Sequence, residues 1–165
     1  MRGRVLELGC GYGRALAALV GTAELLVGID TALGSLALAR KGAWRVAATN
    51  AGSLGFRAAS FDLVACIQNG ISVFGVDRRR LVAEAVRVVH PGGTVLLSSY
   101  SPAFWPHRLE WFERQSALGL VGPIDFEVTR PGRIVCRDGF VSGTTSADEF
   151  ASLAASFGRY EITDN

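Results

Sequence analysis

Short apolar segments alternate with segments of helical periodicity along most of the chain. The apolar segments are residues 5–8, 25–29, 44–48, 61–67 and 94–97. The clearest helical pattern begins at Asp77 and places on one face Leu81, Val82, Ala85, Val86 and Val89. Strands that alternate with helices form right-handed crossovers, which build a parallel sheet with helices on both faces. The sequence therefore predicts an α/β three-layer sandwich whose sheet is mostly parallel.

The last third of the chain has a different pattern. A helix is predicted over residues 104–118, and Asp138-Gly139 between two short apolar runs is a strong hairpin signal. Ser146 followed by Glu149 is a capping-box pattern at the start of a further helix, and residues 160–163 are a candidate final strand. We expect this region to add an antiparallel hairpin at the C-terminal edge of the sheet.

Charge and composition exclude several function classes. The chain has 17 Lys and Arg against 15 Asp and Glu among its 165 residues, which gives a formal net charge of +2. This balance gives no strong electrostatic signal for nucleic acid or an anionic membrane as a partner. No apolar run of about 18 residues is present, and a strand pattern begins so close to Met1 that a signal peptide is not expected.

The three cysteines lie far apart in the sequence. Cys10, Cys66 and Cys136 form no C-x-x-C pair, which excludes a zinc ribbon and a thioredoxin-type site. Isolated thiols are typical of a reducing compartment. We therefore expect a cytoplasmic protein without a metal site, whose oligomeric state the sequence leaves open.

A glycine-rich turn follows the first predicted strand. Gly9, Gly11 and Gly13 stand where ligands bind in open α/β sheets, and glycine lets backbone N–H groups approach a ligand closely. Asp30 ends the second predicted strand, 17 residues after Gly13. A carboxylate at this place can accept hydrogen bonds from both hydroxyl groups of a ribose.

The spacing of these residues distinguishes two ligand classes. A dinucleotide-binding turn, G-x-G-x-x-G, would need a glycine at the position of Arg14. Glu7 stands two places before Gly9, where its carboxylate would repel a pyrophosphate but suits an ammonium group. The residues thus favour a nucleoside that carries an amino acid over a dinucleotide.

Several motifs resemble, in the same order, those of the class I S-adenosylmethionine-dependent methyltransferases over roughly residues 4–101. The matching segments are 7–13 (glycine motif), 27–30 (ribose-binding strand), 50–56 (adenine segment), 61–69 (fourth-strand motif) and 81–97 (helix, Pro91-Gly92-Gly93, strand). The resemblance implies a Rossmann-like fold and S-adenosylmethionine as the cofactor, with S-adenosylhomocysteine as the product.

The resemblance also implies a set of cofactor-binding residues. Asn50 stands where the family commonly has an aspartate, and its amide can still bond the adenine edge without a charge. The full set is Glu7, Gly9, Cys10, Gly11, Gly13, Asp30, Thr31, Asn50, Ala51, Ile67, Gln68 and Asn69.

No catalytic triad is required, because a methyl group on a sulfonium is already activated and the enzyme mainly aligns the reactants. The candidates for a catalytic group are His107, Tyr100 and Asn69. Gln68 and Asn69 are equally consistent with a turn, since polar residues often end an apolar strand. Cys10 is expected to be a small core residue, because no basic partner for a nucleophilic thiol is evident.

Residues near helix ends carry three further expectations. Thr31 is expected to cap the second helix, and His90 to cap carbonyl groups at the end of the helix before Pro91. Residues 78–80, three consecutive arginines, are expected to form a solvated helix start.

We expect a single methyltransferase-like domain over residues 1–165, with only four residues ahead of Val5 where the family usually has one or two helices. The main hypothesis is methyl transfer to an unidentified, small-molecule acceptor. The alternative is a non-catalytic or partner-dependent cofactor-binding module, or a truncated fragment. A nicotinamide-dependent oxidoreductase is a weaker candidate.

Overall fold

A computed structural model describes residues 3–163. In chain order its elements are β1 (Arg4–Leu8), α1 (Arg14–Leu19), β2 (Leu25–Asp30), α2 (Leu33–Ala39), β3 (Arg45–Ala48), β4 (Phe61–Cys66), α3 (Arg78–Val88), β5 (Val89–Leu97), α4 (Trp105–Ala117), β6 (Ile134–Val135), β7 (Val141–Ser142) and α5 (Ala147–Ala154). Single 3-10 turns cover Gly70–Ser72 and Pro102–Phe104. Within this described range, no helix has the length and apolar character needed to cross a membrane.

Strands β1 to β5 form one parallel sheet in the order β3-β2-β1-β4-β5. β1 is central, with Leu6 opposite Val27 of β2 on one side and Val64 of β4 on the other. The chain runs outward in one direction from β1 to β3 and in the other from β4 to β5. This reversal opens a crevice at the carboxyl ends of β1 and β4, the usual ligand position in such sheets. The predicted fold class is confirmed.

Helices cover both faces of this sheet. On one face, Leu16 of α1 and Leu36 of α2 pack with Val5 of β1. On the other face, the apolar side of α3, including Leu81, packs with Leu6 of β1. Val5 and Leu6 belong to different layers because successive side chains of a strand point to opposite faces.

The hairpin of β6 and β7 is antiparallel, as predicted, but it forms a separate two-stranded sheet and does not extend the parallel one. It packs with α4 through a small apolar cluster of its own, which consists of Phe112, Ile124, Ile134 and Cys136. The expected final strand at residues 160–163 is wrong for the described chain: Tyr160 and Ile162 are exposed and pair with no strand there. A strand needs a hydrogen-bonded neighbour, and these residues have none within 3–163.

The helix before Pro91 ends earlier than the proline suggests. α3 stops at Val88 and β5 begins at Val89, so Pro91 lies inside the strand, beside a register shift between β4 and β5. His90 therefore does not cap the helix. Its Nε2 lies 2.7 Å from Oδ1 of Asp62, which makes it a cross-strand partner.

Two other helix starts also differ from expectation. Ala32, not Thr31, is the N-cap residue of α2, and its N–H donates to Oδ1 of Asp30 over 2.8 Å. At α3, Arg78 pairs with Glu149 over 3.0 Å, and Arg80 donates to the Gly52 carbonyl oxygen over 2.6 Å. The expected solvated helix start holds for Arg79 and Arg80, which are exposed, although Arg80 also contacts the loop after β3. It is wrong for Arg78, which is only partly exposed and connects α3 to α5.

Candidate functional site

The glycine loop, residues 9–13, joins β1 to α1 at the carboxyl edge of the sheet. Gly9, Gly11 and Gly13 have φ of 75°, 53° and 93°, a left-handed backbone that favours glycine. The N–H of Gly9 donates to the carbonyl oxygen of Ile29 over 2.8 Å. The loop is thereby held against the end of β2.

Asp30, the last residue of β2, contacts this loop directly. Its Oδ2 accepts a hydrogen bond from the N–H of Gly11 over 2.8 Å, while Oδ1 accepts from Ala32. A carboxylate oxygen can accept two hydrogen bonds, so each oxygen of Asp30 retains acceptor capacity. The carboxylate is only half-buried and can therefore accept from a pair of ligand hydroxyls.

Glu7 lies in β1, immediately below the glycine loop, and only 5% of it is exposed. Its Oε2 finds no hydrogen-bond donor among the described residues. Burial raises the pKa of Glu7 to about 7, and the negative charge of Asp30 adds to the effect; a hydrogen bond from the Leu16 backbone and the charge of Arg14 oppose it. A buried carboxylate oxygen without a partner is costly, so this position favours a ligand that brings a donor or a positive charge.

A pocket opens beside the glycine loop and has a volume of about 40 Å³. Five residues of the predicted cofactor set line it: Gly9, Asp30, Thr31, Asn50 and Ala51. The sequence did not indicate four others: Ile29, Thr49, Phe74 and Val76. The sequence around Phe74 and Val76 does not predict that they line a site. Their position depends on how the segment before α3 packs against residues distant in sequence.

Phe74 limits the size of this pocket. A Cβ built on Gly9 would collide with the Phe74 ring. Small-molecule sites usually enclose about 300–1,000 Å³, well above the volume found here. In this structure the pocket is therefore too small to enclose a nucleoside.

Asn50 stands at the rim of the same pocket. Its side-chain Oδ1 accepts a hydrogen bond from the N–H of Gly52 over 2.7 Å. This bond orients the side chain through its oxygen, so the amide NH₂ remains available as a donor. A donor at this point matches the nitrogen acceptors on an adenine edge.

The carboxyl end of β4 carries two consecutive residues in a left-handed conformation. Gln68 has φ of 57° and Asn69 has φ of 69°. Such backbones cost about 1–3 kcal/mol each for residues other than glycine and are frequent at functional sites. The Oε1 of Gln68 accepts a hydrogen bond from Arg14, which follows the glycine loop. The end of β4 is thus linked to that loop.

Asn69 is buried and uses both ends of its amide. Its Oδ1 accepts from the Ser99 hydroxyl over 2.6 Å, and its Nδ2 donates to the Gly143 carbonyl oxygen over 2.9 Å. Asn69 therefore links the end of β4 to the segment after β7. Its predicted part in catalysis stays a prediction.

The rest of the predicted cofactor set does not line this pocket: Glu7, Cys10, Gly11, Gly13, Ile67, Gln68 and Asn69. The catalytic candidates His107 and Tyr100 also lie outside it. His107 is exposed, with its ring 5.4 Å from that of Phe104, and Tyr100 stacks on Phe104. Ile67 follows β4 and Gly13 is buried against Trp44. Burial raises the pKa of Cys10 to about 12, so its thiol is suited to packing and not to nucleophilic attack.

The matched region of a known protein family coincides with this site. A family described as a methyltransferase domain matches residues 6–97, from β1 to β5, which include the glycine loop, Asp30 and Gln68. The chain belongs to the methyltransferase domain family. The resemblance drawn from the motifs is confirmed, and S-adenosylmethionine is the cofactor that it implied.

Solved methyltransferase structures share the fold of this methyltransferase domain. An S-adenosylmethionine-dependent methyltransferase from Methanosarcina mazei superposes with a TM-score of 0.70 at 22% identity and covers 94% of the chain. A possible histamine N-methyltransferase from Thermotoga maritima gives 0.65 at 22% over 98% of the chain. An amino pentose methyltransferase from Micromonospora echinaspora, solved with S-adenosylmethionine bound, gives 0.66 at 20% over 95%.

The chain spans 78%, 65% and 75% of the lengths of these three proteins. Their low identity shows a common fold and no more. The chain matches no curated protein sequence.

The residues of the methyltransferase domain fit the cofactor chemically. Glu7 offers its unpartnered oxygen to an ammonium group, the glycine loop offers N–H groups, and Asp30 and Asn50 offer partners for a ribose and an adenine. The order of these groups across the sheet edge matches the order of the groups in the cofactor. Their individual roles stay predictions.

Proposed function

We propose that this protein transfers the methyl group of S-adenosylmethionine to a small-molecule acceptor at the carboxyl end of β4. The cofactor supplies a methyl group that its sulfonium has already activated for displacement. The observation that carries the proposal is the buried, unpartnered Oε2 of Glu7 beneath the glycine loop. An ammonium group is the ligand feature that satisfies such an oxygen.

The chain's own residues would act by binding and orientation. Glu7 would hold the ammonium group and Asp30 the two ribose hydroxyls, so that the sulfonium lies near the end of β4. Gln68, linked to Arg14, marks the side from which an acceptor approaches. Holding the reactants in line accounts for most of the rate gain that such a reaction needs.

Two observations argue against a nicotinamide cofactor. Arg14 stands where the dinucleotide turn requires a glycine. Glu7 would also place a buried negative charge near the pyrophosphate, a repulsion that the low local dielectric strengthens.

A matched pair of ligands tests the role of Glu7. S-adenosylhomocysteine carries the amino acid group, whereas 5′-methylthioadenosine lacks it. Calorimetry should show that Glu7→Gln weakens S-adenosylhomocysteine binding by roughly ten- to a hundred-fold, the value of a charged hydrogen bond of about 1.5–3 kcal/mol. Binding of 5′-methylthioadenosine should not change.

The exposed Glu24 supplies the control, and Glu24→Gln should bind both ligands as the native protein does. Folded protein that binds neither ligand at high micromolar concentration would contradict the proposal. If Glu7→Gln weakens the binding of both ligands equally, Glu7 does not contact the ammonium group.

A turnover assay separates the enzyme from a binding module. Incubation with S-adenosylmethionine and a panel of small alcohols, amines, thiols and carboxylates should release S-adenosylhomocysteine with at least one of them. Tight cofactor binding with no release above the acceptor-free rate would support a non-catalytic or partner-dependent module instead.

A further inference from the structure

Arg108 is a buried cation that has no counter-charge in the part of the chain that the structure describes. It lies in α4, and only 2% of it is exposed. Its Nη2 donates to both oxygens of Ser142, over 3.1 and 2.6 Å, and to the Gly143 carbonyl oxygen over 2.8 Å. Nε and Nη1 find no acceptor within residues 3–163, and no Asp or Glu of that range forms an ion pair with the guanidinium.

Such an arrangement is costly for the protein alone. A buried charge is normally paired, and a guanidinium with unpaired N–H groups loses hydration without replacement. Burial accordingly lowers the pKa of Arg108. The neutral carbonyl and hydroxyl acceptors of residues 142 and 143 satisfy one nitrogen and leave the positive charge in place.

Arg108 is connected to the candidate site. The carbonyl oxygen of Gly143 accepts from Nη2 of Arg108 and also from Nδ2 of Asn69, over 2.9 Å. Asn69 follows Gln68 at the carboxyl end of β4, the side assigned above to the acceptor. The Gly143 carbonyl group thus connects Arg108 to Asn69 at the end of β4.

The rings of Tyr100 and Phe112 lie near the guanidinium, and Tyr100 in turn stacks on Phe104. The Tyr100 ring centre is 5.1 Å from Cζ of Arg108, and Tyr100 stacks on Phe104 at 5.7 Å and an interplanar angle of 11°. Both rings are exposed, 37% for Tyr100 and 45% for Phe104. An exposed ring can move without breaking the core, and a displaced Tyr100 would uncover the unpaired nitrogens.

We propose that Arg108 binds a carboxylate of the acceptor, and that the pair Tyr100 and Phe104 stacks on a planar group next to that carboxylate. The inference rests on the proposed function and names its substrate class, a planar organic carboxylate. An anion supplies the missing counter-charge and accepts from nitrogens that have no acceptor now. The planar face suits two rings that already stack.

Benzoate and benzamide test this site, because they share their shape and differ in charge. Titration of the full chain, with and without S-adenosylhomocysteine, should show benzoate binding at least tenfold more tightly than benzamide. Arg108→Met should remove this preference. Arg114→Met, in the same helix but exposed, should retain it. Equal binding of the two probes, or an unchanged preference in Arg108→Met, would overturn the proposal.

A purely structural role for Arg108 makes a different prediction. If the role is only structural, Arg108→Met should have a lower melting temperature, and the native protein should bind benzoate and benzamide equally. That pair of results would also overturn the proposal. If Arg108→Met does not fold, Tyr100→Ala decides, because it keeps the cation and removes its cover. Benzoate should then associate faster, and a Tyr100→Ala protein that does not distinguish benzoate from benzamide would contradict the site.

The two proposals fail separately. Selective benzoate binding without any binding of S-adenosylhomocysteine would retain the anion site and reject the proposed function. Binding of S-adenosylhomocysteine without benzoate selectivity would retain the proposed function and reject the anion site.

Discussion

The aromatic ring of Phe74 packs against the backbone of Gly9, in the space that a side chain at residue 9 would fill. The ring is half-buried and contacts the core on the α3 side of the sheet. It also lines the pocket beside Asp30, whose volume is about 40 Å³. We therefore expect this ring, from a residue that follows β4 and lies far from the loop in sequence, to limit access to the glycine loop.

Removal of this ring should ease cofactor entry. Phe74→Ala should increase the association rate of S-adenosylhomocysteine several-fold in stopped-flow fluorescence, because no side chain has to be displaced. Its free energy of unfolding should fall by less than the about 3–5 kcal/mol of a fully buried phenylalanine. Phe126→Ala, at an exposed position away from the pocket, is the control. Slower association in Phe74→Ala would show that the ring belongs to the bound site.

Asp30 should contribute strongly to affinity. Asp30→Ala removes the acceptor for two ribose hydroxyls, and calorimetry should show S-adenosylhomocysteine binding weakened by roughly ten- to a hundred-fold. The loss should extend to 5′-methylthioadenosine, which carries the same ribose. Asp148→Ala, at an exposed position in α5, should bind as the native protein does. Native affinity in Asp30→Ala would exclude this carboxylate from the site.

Stability should depend on pH through Glu7. Its pKa is raised from 4.5 to about 7 in the folded chain, so between these values the folded state holds more protons than the unfolded state. The contribution of Glu7 to stability is then fully present below pH 4.5 and is lost as pH rises to about 7, by about 3 kcal/mol in total.

Urea unfolding across this pH range should measure the decline as a difference between the native protein and Glu7→Gln, which has no such proton to lose. Parallel pH curves for the two proteins would mean that Glu7 titrates normally. In Glu24→Gln the curve should follow that of the native protein.

The three thiols should be unreactive in the folded protein. All three cysteines are buried, and burial raises the pKa of Cys10 and of Cys66 to about 12. At pH 8 the thiolate fraction of these two is then about 10⁻⁴, too low for rapid attack. A colorimetric disulfide reagent should label no thiol in buffer and all three in urea. Rapid labelling of one thiol in buffer would place it at the surface.

The sheet and the glycine loop are predictable because their signals are local. Residues 5–8 and 61–67 are apolar except for Glu7 and Asp62, a pattern typical of strands covered on both faces. The glycines that need a left-handed backbone lie directly after the first of them. Asp30 could be placed beside the loop because parallel strands end at the same edge.

The other site residues depend on contacts between distant segments. Nothing near Phe74 in the sequence indicates that its ring reaches Gly9, and Arg108 has the ordinary appearance of a charged residue in an amphipathic helix. His90 shows the same limit: a proline after a helical pattern suggested a cap, whereas pairing with Asp62 across two strands decides its place. Each of these outcomes is set by tertiary packing, which single-sequence patterns do not contain.

The apolar cluster of α4 and the β6–β7 hairpin is separate from the two clusters that flank the parallel sheet. Polar bonds join the hairpin region to the sheet, among them that of Asn69 to the Gly143 carbonyl oxygen and that of the Thr145 N–H to the Ser99 hydroxyl. Substitutions inside this apolar cluster should therefore leave the packing of the parallel sheet, and the glycine loop at its edge, largely unchanged.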